Sequence, residues 1–270
     1  MKTYEEQKAF VSKLNIIDDI FFHKIAEDIG VCEEMLQIIL ENPRIKVVDA
    51  QVQRFLRNAG AHSVILDLLC QDEKNSYFNV EIQKSDDDDH QKRVRFNHSN
   101  IDTIFVEKGI KYRELPDVYM IFISKFDPFG EEKTIYHIDR VIKETGTIVD
   151  NGVHEVYVNT AVPDDTTISE LMQYFRNSTG TNDKFKRISN RVNYFKESKE
   201  GVKIMCELVD NYAKEYADIK VKEAKKETTL QIVINMIKKG TSNKDILDCI
   251  PSFTLEEIET LRQQSLQNKE

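Results

Sequence analysis

The sequence predicts an α/β protein: a mixed sheet of at least four strands flanked by helices, with a mostly helical final third. Three observations carry that expectation. The run SVILDLLCQDEKNSYFNVEIQK, residues 63–84, holds two β-rich stretches around the turn residues DEKNS, which is the pattern of a hairpin. VYMIFIS, residues 118–124, is nearly continuous apolar sequence, as expected of a strand buried on both faces. From Thr167 onward, helical spacing replaces strand alternation.

Taken in order, residues 1–13 are polar and read as loosely held. Asn15 or Asp18 caps a helix whose apolar positions include Ile20, Phe21, Ile25 and Ile29. Gly30 interrupts it, the pattern resumes with Met35, Leu36, Ile39 and Leu40, and Pro43 stops it. Ile45–Leu56 reads as a strand that Gly60 ends. The hairpin follows, then a polar helix from His90 to about Lys108, then the 118–124 strand. TIYHIDRVI and HEVYVN suggest a second hairpin turning near Asp150-Asn151-Gly152. Leu171, Met172 and Phe175 mark one helix, residues 184–198 a basic one, and Gly201–Lys238 a long helix or two. At the end, Thr241 or Ser242 caps one short helix, and Thr254 with Glu257 forms a capping box for another. The expected division is a core over residues 1–165 and a helical region over 166–270.

Composition narrows the class. A hydrophobic fraction of 40% and a charged fraction of 31% over 270 residues fit a folded, soluble chain. No apolar run reaches membrane-spanning length, and MKTYEEQKAF lacks the order of a signal peptide, so the chain reads as cytoplasmic with no membrane partner. The four cysteines form no CxxC pair and read as buried free thiols, and the six histidines show no zinc-ligand spacing. A net charge of −9 does not exclude nucleic acid, because binders gather their Lys and Arg on one face.

The chemistry centres on the hairpin. Glu81 and Gln83 share one face of a strand, and Asp67 on the partner strand can stand beside Glu81. Two carboxylates among apolar neighbours are costly unless compensated, and a hard cation such as Mg²⁺, aided by the Ile82 carbonyl, compensates them. The spacing D-x₁₃-E-x-Q equally describes the polar face of a half-exposed hairpin. Lys92, Arg93 and Arg95 can contact DNA phosphate or form a solvated helix face; Lys184, Lys186, Arg187 and Arg191 are a second basic cluster. The acidic run from Asp86 to Asp89 reads as a solvated loop away from any DNA groove.

DLLCQDEKNSYFNVEIQ resembles the core motif of the recombination-promoting nucleases, or putative transposases, of the PD-(D/E)XK superfamily. NIIDDIFFHKIAED (with Asp19 and Phe22), QKRVRFNHSNID and ELPDVYMIFISKFDPFG resemble further blocks of that family in the same order, and the likeness spans about residues 15–210. It implies a restriction-endonuclease-like core and metal-dependent cutting of DNA. Asp67, Glu81 and the Ile82 carbonyl would bind Mg²⁺ or Mn²⁺, with Gln83 where the wider superfamily carries lysine. Asp19 would be a further acid near the site, or a residue that stabilises its helix start. The place that is often basic in relatives holds Ala61 and His62 here. The alternative is a nuclease fold without useful activity, serving as a nucleic-acid-binding or interaction module. Self-association of the chain stays open, with the C-terminal helices as an arm for it.

Overall fold

The computed structural model describes residues 3–56, 64–87, 89–105 and 111–267. Ala61 and His62 lie outside them. Contrary to the expectation of a loose start, residues 4–11 form helix α1 (Tyr4–Val11), because Thr3 and Glu6 close a reciprocal capping box and Val11 is fully buried. Helices α2 (Asp19–Ala26) and α3 (Ile29–Ile39) follow. The break between them falls at residues 27–28, ahead of Gly30. Asp28 makes it by accepting hydrogen bonds from the N–H groups of Gly30 and Val31, 2.9 and 3.4 Å away, and so starting a new helix.

Strands β1 (Val47–Leu56), β2 (Val64–Asp72) and β3 (Tyr77–Gln83) form an antiparallel meander. The predicted β2–β3 hairpin is present. Asp72 closes its turn by accepting from the N–H groups of Lys74 and Ser76, and Asn75 takes the left-handed backbone (φ 66°) that asparagine tolerates. The chain crosses over through α4 (His90–Phe105) to β4 (Val118–Ser124), parallel to β3. Beyond it lie β5 (Ile135–Ile138), a short ribbon β6 (Val141–Ile142) and β7 (Thr147–Ile148), and β8 (Val153–Asn159). The main sheet is thus mixed and six-stranded, in the order β1-β2-β3-β4-β8-β5.

β5 and β8 pair antiparallel as expected, but they are not joined by a turn at 150–152. The chain inserts the exposed β6–β7 ribbon, whose tip holds Gly146 at φ 71°; a Thr-Gly turn there competes for the strand that TIYHIDRVI suggested.

Val94 and Ile101 of α4 pack with Met120, Phe122 and Tyr157 on one sheet face. The alternate residues Phe78, Val80, Ile121, Ile123 and Val158 are buried as well, so the central strands are covered on both sides, as the apolar run of β4 foretold. Helices α5 (Thr167–Arg176), α6 (Lys186–Glu197) and α7 (Lys199–Lys238) complete the run. α6 packs on α3, α1 and α2. Gly201, near the start of α7, lies so close to the backbone of Tyr194 that no side chain fits.

The chain separates into two compact units, Met1–Glu207 and Leu208–Glu270. In the second, Val233, Ile237, Ile246 and Ile258 form a small core joining α7 to α8 (Asn243–Cys249) and α9 (Leu255–Gln267). Both predicted caps are made, by Ser242 for α8 and by Thr254 with Glu257 for α9. Cys32, Cys70 and Cys206 are buried and form no disulfide, but Cys249, the last residue of α8, is exposed. No helix among the described residues is long and apolar enough to cross a membrane.

Candidate active site

The β2–β3 ladder runs from Gln71↔Tyr77 to Leu68↔Val80. Beyond that pair, side chains replace backbone partners. The N–H of Ile82 donates to Asp67 Oδ2 at 2.9 Å, and the N–H of Asp67 donates to Glu81 Oε1 at 3.4 Å. β1 is distorted at the same level: Gln53, between the pairs Val52↔Leu68 and Arg54↔Leu66, has φ 51°. Asp67 and Glu81 therefore stand together where the sheet opens. The carbonyl of Gln83 accepts from Lys125 N–H on the β4 side. Backbone groups alternate along a strand, so those of Ile82 face β2 and Asp67.

Burial, and then the negative charge of Asp67, push the Glu81 carboxyl up to about 8; the Arg93 guanidinium acts the other way. Two acids in one poorly solvated place do not readily ionise together. A hard divalent cation suits this donor set, because Mg²⁺ takes oxygen ligands and needs only one or two protein carboxylates beside water and phosphate. Among the described residues, no group of three or more His, Cys, Asp or Glu is arranged to hold a metal.

Two helices bring further groups. On α2, His23 approaches Asp67 Oδ1 with its Nε2 at 3.3 Å, and its side chain is mostly buried. Sequence patterning does not single it out. The one available signal is the four-residue spacing from Asp19, which puts both on one helix face. Asp19 itself engages Lys84 at 3.6 Å, and Asp18 does so at 3.7 Å. On α4, Arg93 turns inward and donates through NH1 to Gln83 Oε1 at 2.7 Å, while Lys92 and Arg95 are exposed. The three basic residues of α4 therefore do not form one surface.

The acidic loop does not lie away from the site, as its composition suggested. Gln83 Nε2 donates to Ser85 O at 2.8 Å and to Asp87 Oδ2 at 3.1 Å, and Asp89 accepts from Arg93 NH2 at 2.8 Å. The reason is chain length: β3 ends at Gln83 and α4 begins at His90, and such a short connection stays beside the strand end. The Arg93–Asp89 pair is partly solvent-exposed and four residues apart on the chain, so it contributes only about 0.3–0.5 kcal/mol. The second basic cluster is largely committed to the fold. Lys184 pairs with Glu170, Arg187 with Glu33, and the Arg191 guanidinium lies 4.7 Å from the Phe195 ring centre.

A six-stranded mixed sheet flanked by helices, with an acid pair on its β2–β3 hairpin, makes this an α/β protein. The chain belongs to the PD-(D/E)XK nuclease family transposases, whose family model matches residues 26–160. The match spans β1 to β8 and includes Asp67, Glu81, Gln83 and Arg93; Asp19 and His23 precede it, and α5 to α9 follow it. No curated protein and no solved structure matches the chain.

Proposed function

We propose that this protein is a metal-dependent DNA endonuclease, hydrolysing phosphodiester bonds in recombination or mobile-element biology. The observation that carries the reading is the Glu81 carboxyl, raised to about 8 beside Asp67. Such a pair has a place for a cation and a reason to bind one. Asp67, Glu81 and the Ile82 carbonyl would hold Mg²⁺ or Mn²⁺, with Asp19 a further acid on the neighbouring helix. Such an ion would supply an activated water and offset charge on the scissile phosphate. The Ile82 N–H and His23 fix the orientation of the Asp67 carboxylate. Glu81 would have to give up its proton to serve as a ligand. Gln83 orients the attacking water or a phosphate oxygen, and Lys92 and Arg95 contact the DNA backbone without reading its sequence.

The test is incubation of supercoiled plasmid with the purified protein in Mg²⁺, Mn²⁺ or EDTA, beside Glu81→Ala. The expected result is nicking that needs the metal and disappears in the variant. Equal nicking by both proteins refutes this site. A glutamine on β3 in the place of lysine favours a second reading, a nuclease fold that binds DNA without cutting it. No nicking, together with a retained gel shift, would establish that reading.

A further inference from the structure

β3 offers no cation to a phosphate: Gln83 is neutral, and Lys84, the next residue, is directed to Asp19, the first residue of α2, and to Asp18 just before it. A cation reaches the site from another element. Arg93, in the first turn of α4, holds Gln83 Oε1 with one guanidinium nitrogen and Asp89 Oδ1 with another. Between them, one carboxylate oxygen is gripped as a phosphate oxygen would be. Asp87 Oδ2 lies 3.1 Å from Gln83 Nε2, 3.3 Å from Ser85 Oγ and 3.7 Å from Arg93 NH2.

Guanidinium forks bind carboxylate and phosphate through the same geometry, and an amide N–H and a hydroxyl add donors that suit either anion. Asp87 and Asp89 carry half-exposed side chains, whereas the Gln83–Arg93 contact is part-buried and the Arg93 charge reaches Glu81. The carboxylates are therefore the exchangeable part of the cluster and the donors the fixed part.

We infer that Arg93, with Gln83 and Ser85, is the phosphate-binding cradle of this site, and that Asp87 and Asp89 occupy it until a DNA phosphate displaces them. The inference rests on the nuclease reading for the identity of the ligand and adds both the missing cation and a self-occupied resting state. The arginine stands where it can touch a phosphate beside the Asp67–Glu81 pair. The acidic loop makes binding competitive, so weakly held DNA is excluded from the acids.

The experiment is a double-mutant cycle read by fluorescence anisotropy of a labelled mixed-sequence duplex, with Ca²⁺ as the hard cation. Asp87→Asn/Asp89→Asn is expected to tighten binding by about fivefold, the equivalent of about 1 kcal/mol. Arg93→Gln is expected to weaken it by a similar factor, and Arg93→Lys, which keeps the charge but loses the fork, by about half as much in free energy. In the Arg93→Gln background the aspartate substitutions should gain less than about twofold. An equal gain with and without Arg93 overturns the inference, because the aspartates would then act on DNA only through their field. No gain in either background overturns it too. Plasmid nicking separates the two levels. A wild type that nicks while the cycle is additive loses only the cradle, whereas a coupled cycle without nicking keeps the cradle and removes the nuclease reading. Absence of DNA binding in every variant removes both.

Discussion

Replacing Glu81 with glutamine should make the metal-free protein more stable, and more so as pH rises. The Glu81 carboxyl is raised from an ordinary value of 4.5 to about 8 in the folded chain. An acid whose folded value is raised holds its proton more tightly in the native state. No penalty exists below about pH 4.5; stability then falls as pH rises, and the loss is complete once pH exceeds about 8. Between about pH 5 and about pH 9 this amounts to at most ~4 kcal/mol, since each tenfold change in the acid's dissociation constant is worth about 1.36 kcal/mol. Glutamine keeps the shape and never ionises. The gap between Glu81→Gln and wild type should therefore open by up to that amount across this range, while other titrating groups cancel in the comparison. Urea denaturation in EDTA at several pH values measures it. A gap that stays constant across the range would refute the reasoning, since it would mean that Glu81 ionises in the folded chain as it does in water. The proposed metal site carries a corollary: affinity for Mg²⁺ should rise by about 25-fold between about pH 6.5 and about pH 8.5, because one proton would be displaced from Glu81.

Two further outcomes follow from contacts around the site and the helical layer. His23→Phe removes a polar partner of Asp67 while keeping a ring in its place, and should weaken Mn²⁺ binding about tenfold by calorimetry with little change in unfolding midpoint. Gly201→Ala puts a methyl group into the Tyr194 backbone and should cost about 1–3 kcal/mol in denaturant unfolding, whereas an exposed control such as Lys203→Ala should cost almost nothing.

Much of the sheet is legible because period and turn chemistry are local. The β2–β3 hairpin announces itself through the Asp72–Ser76 turn, β4 through an apolar run, and α9 through Thr254 and Glu257. The α2–α3 break is harder to place, because a glycine lies close to the Asp28 cap that makes it. α1 carries a local start signal in its Thr3–Glu6 capping box, but the packing that holds it comes from α6, far along the chain.

For the site, alternation along the strand and turn chemistry put Glu81 and Gln83 on one face of a strand with Asp67 across the hairpin. The sequence by itself thus determined the fold class, the hairpin and the acids it carries, because a strand's period and a turn's preferences act between near neighbours. Tertiary structure decided everything that reaches those acids from elsewhere. His23 arrives on a helix forty-four residues before Asp67, Arg93 arrives on the helix after the loop, and Asp87 folds back onto Gln83. The short β3–α4 connection keeps Asp87 close, but no local pattern encodes the approaches of His23 and Arg93. They depend on how α2 and α4 pack against the sheet, and that packing is fixed by the summed burial of the whole core.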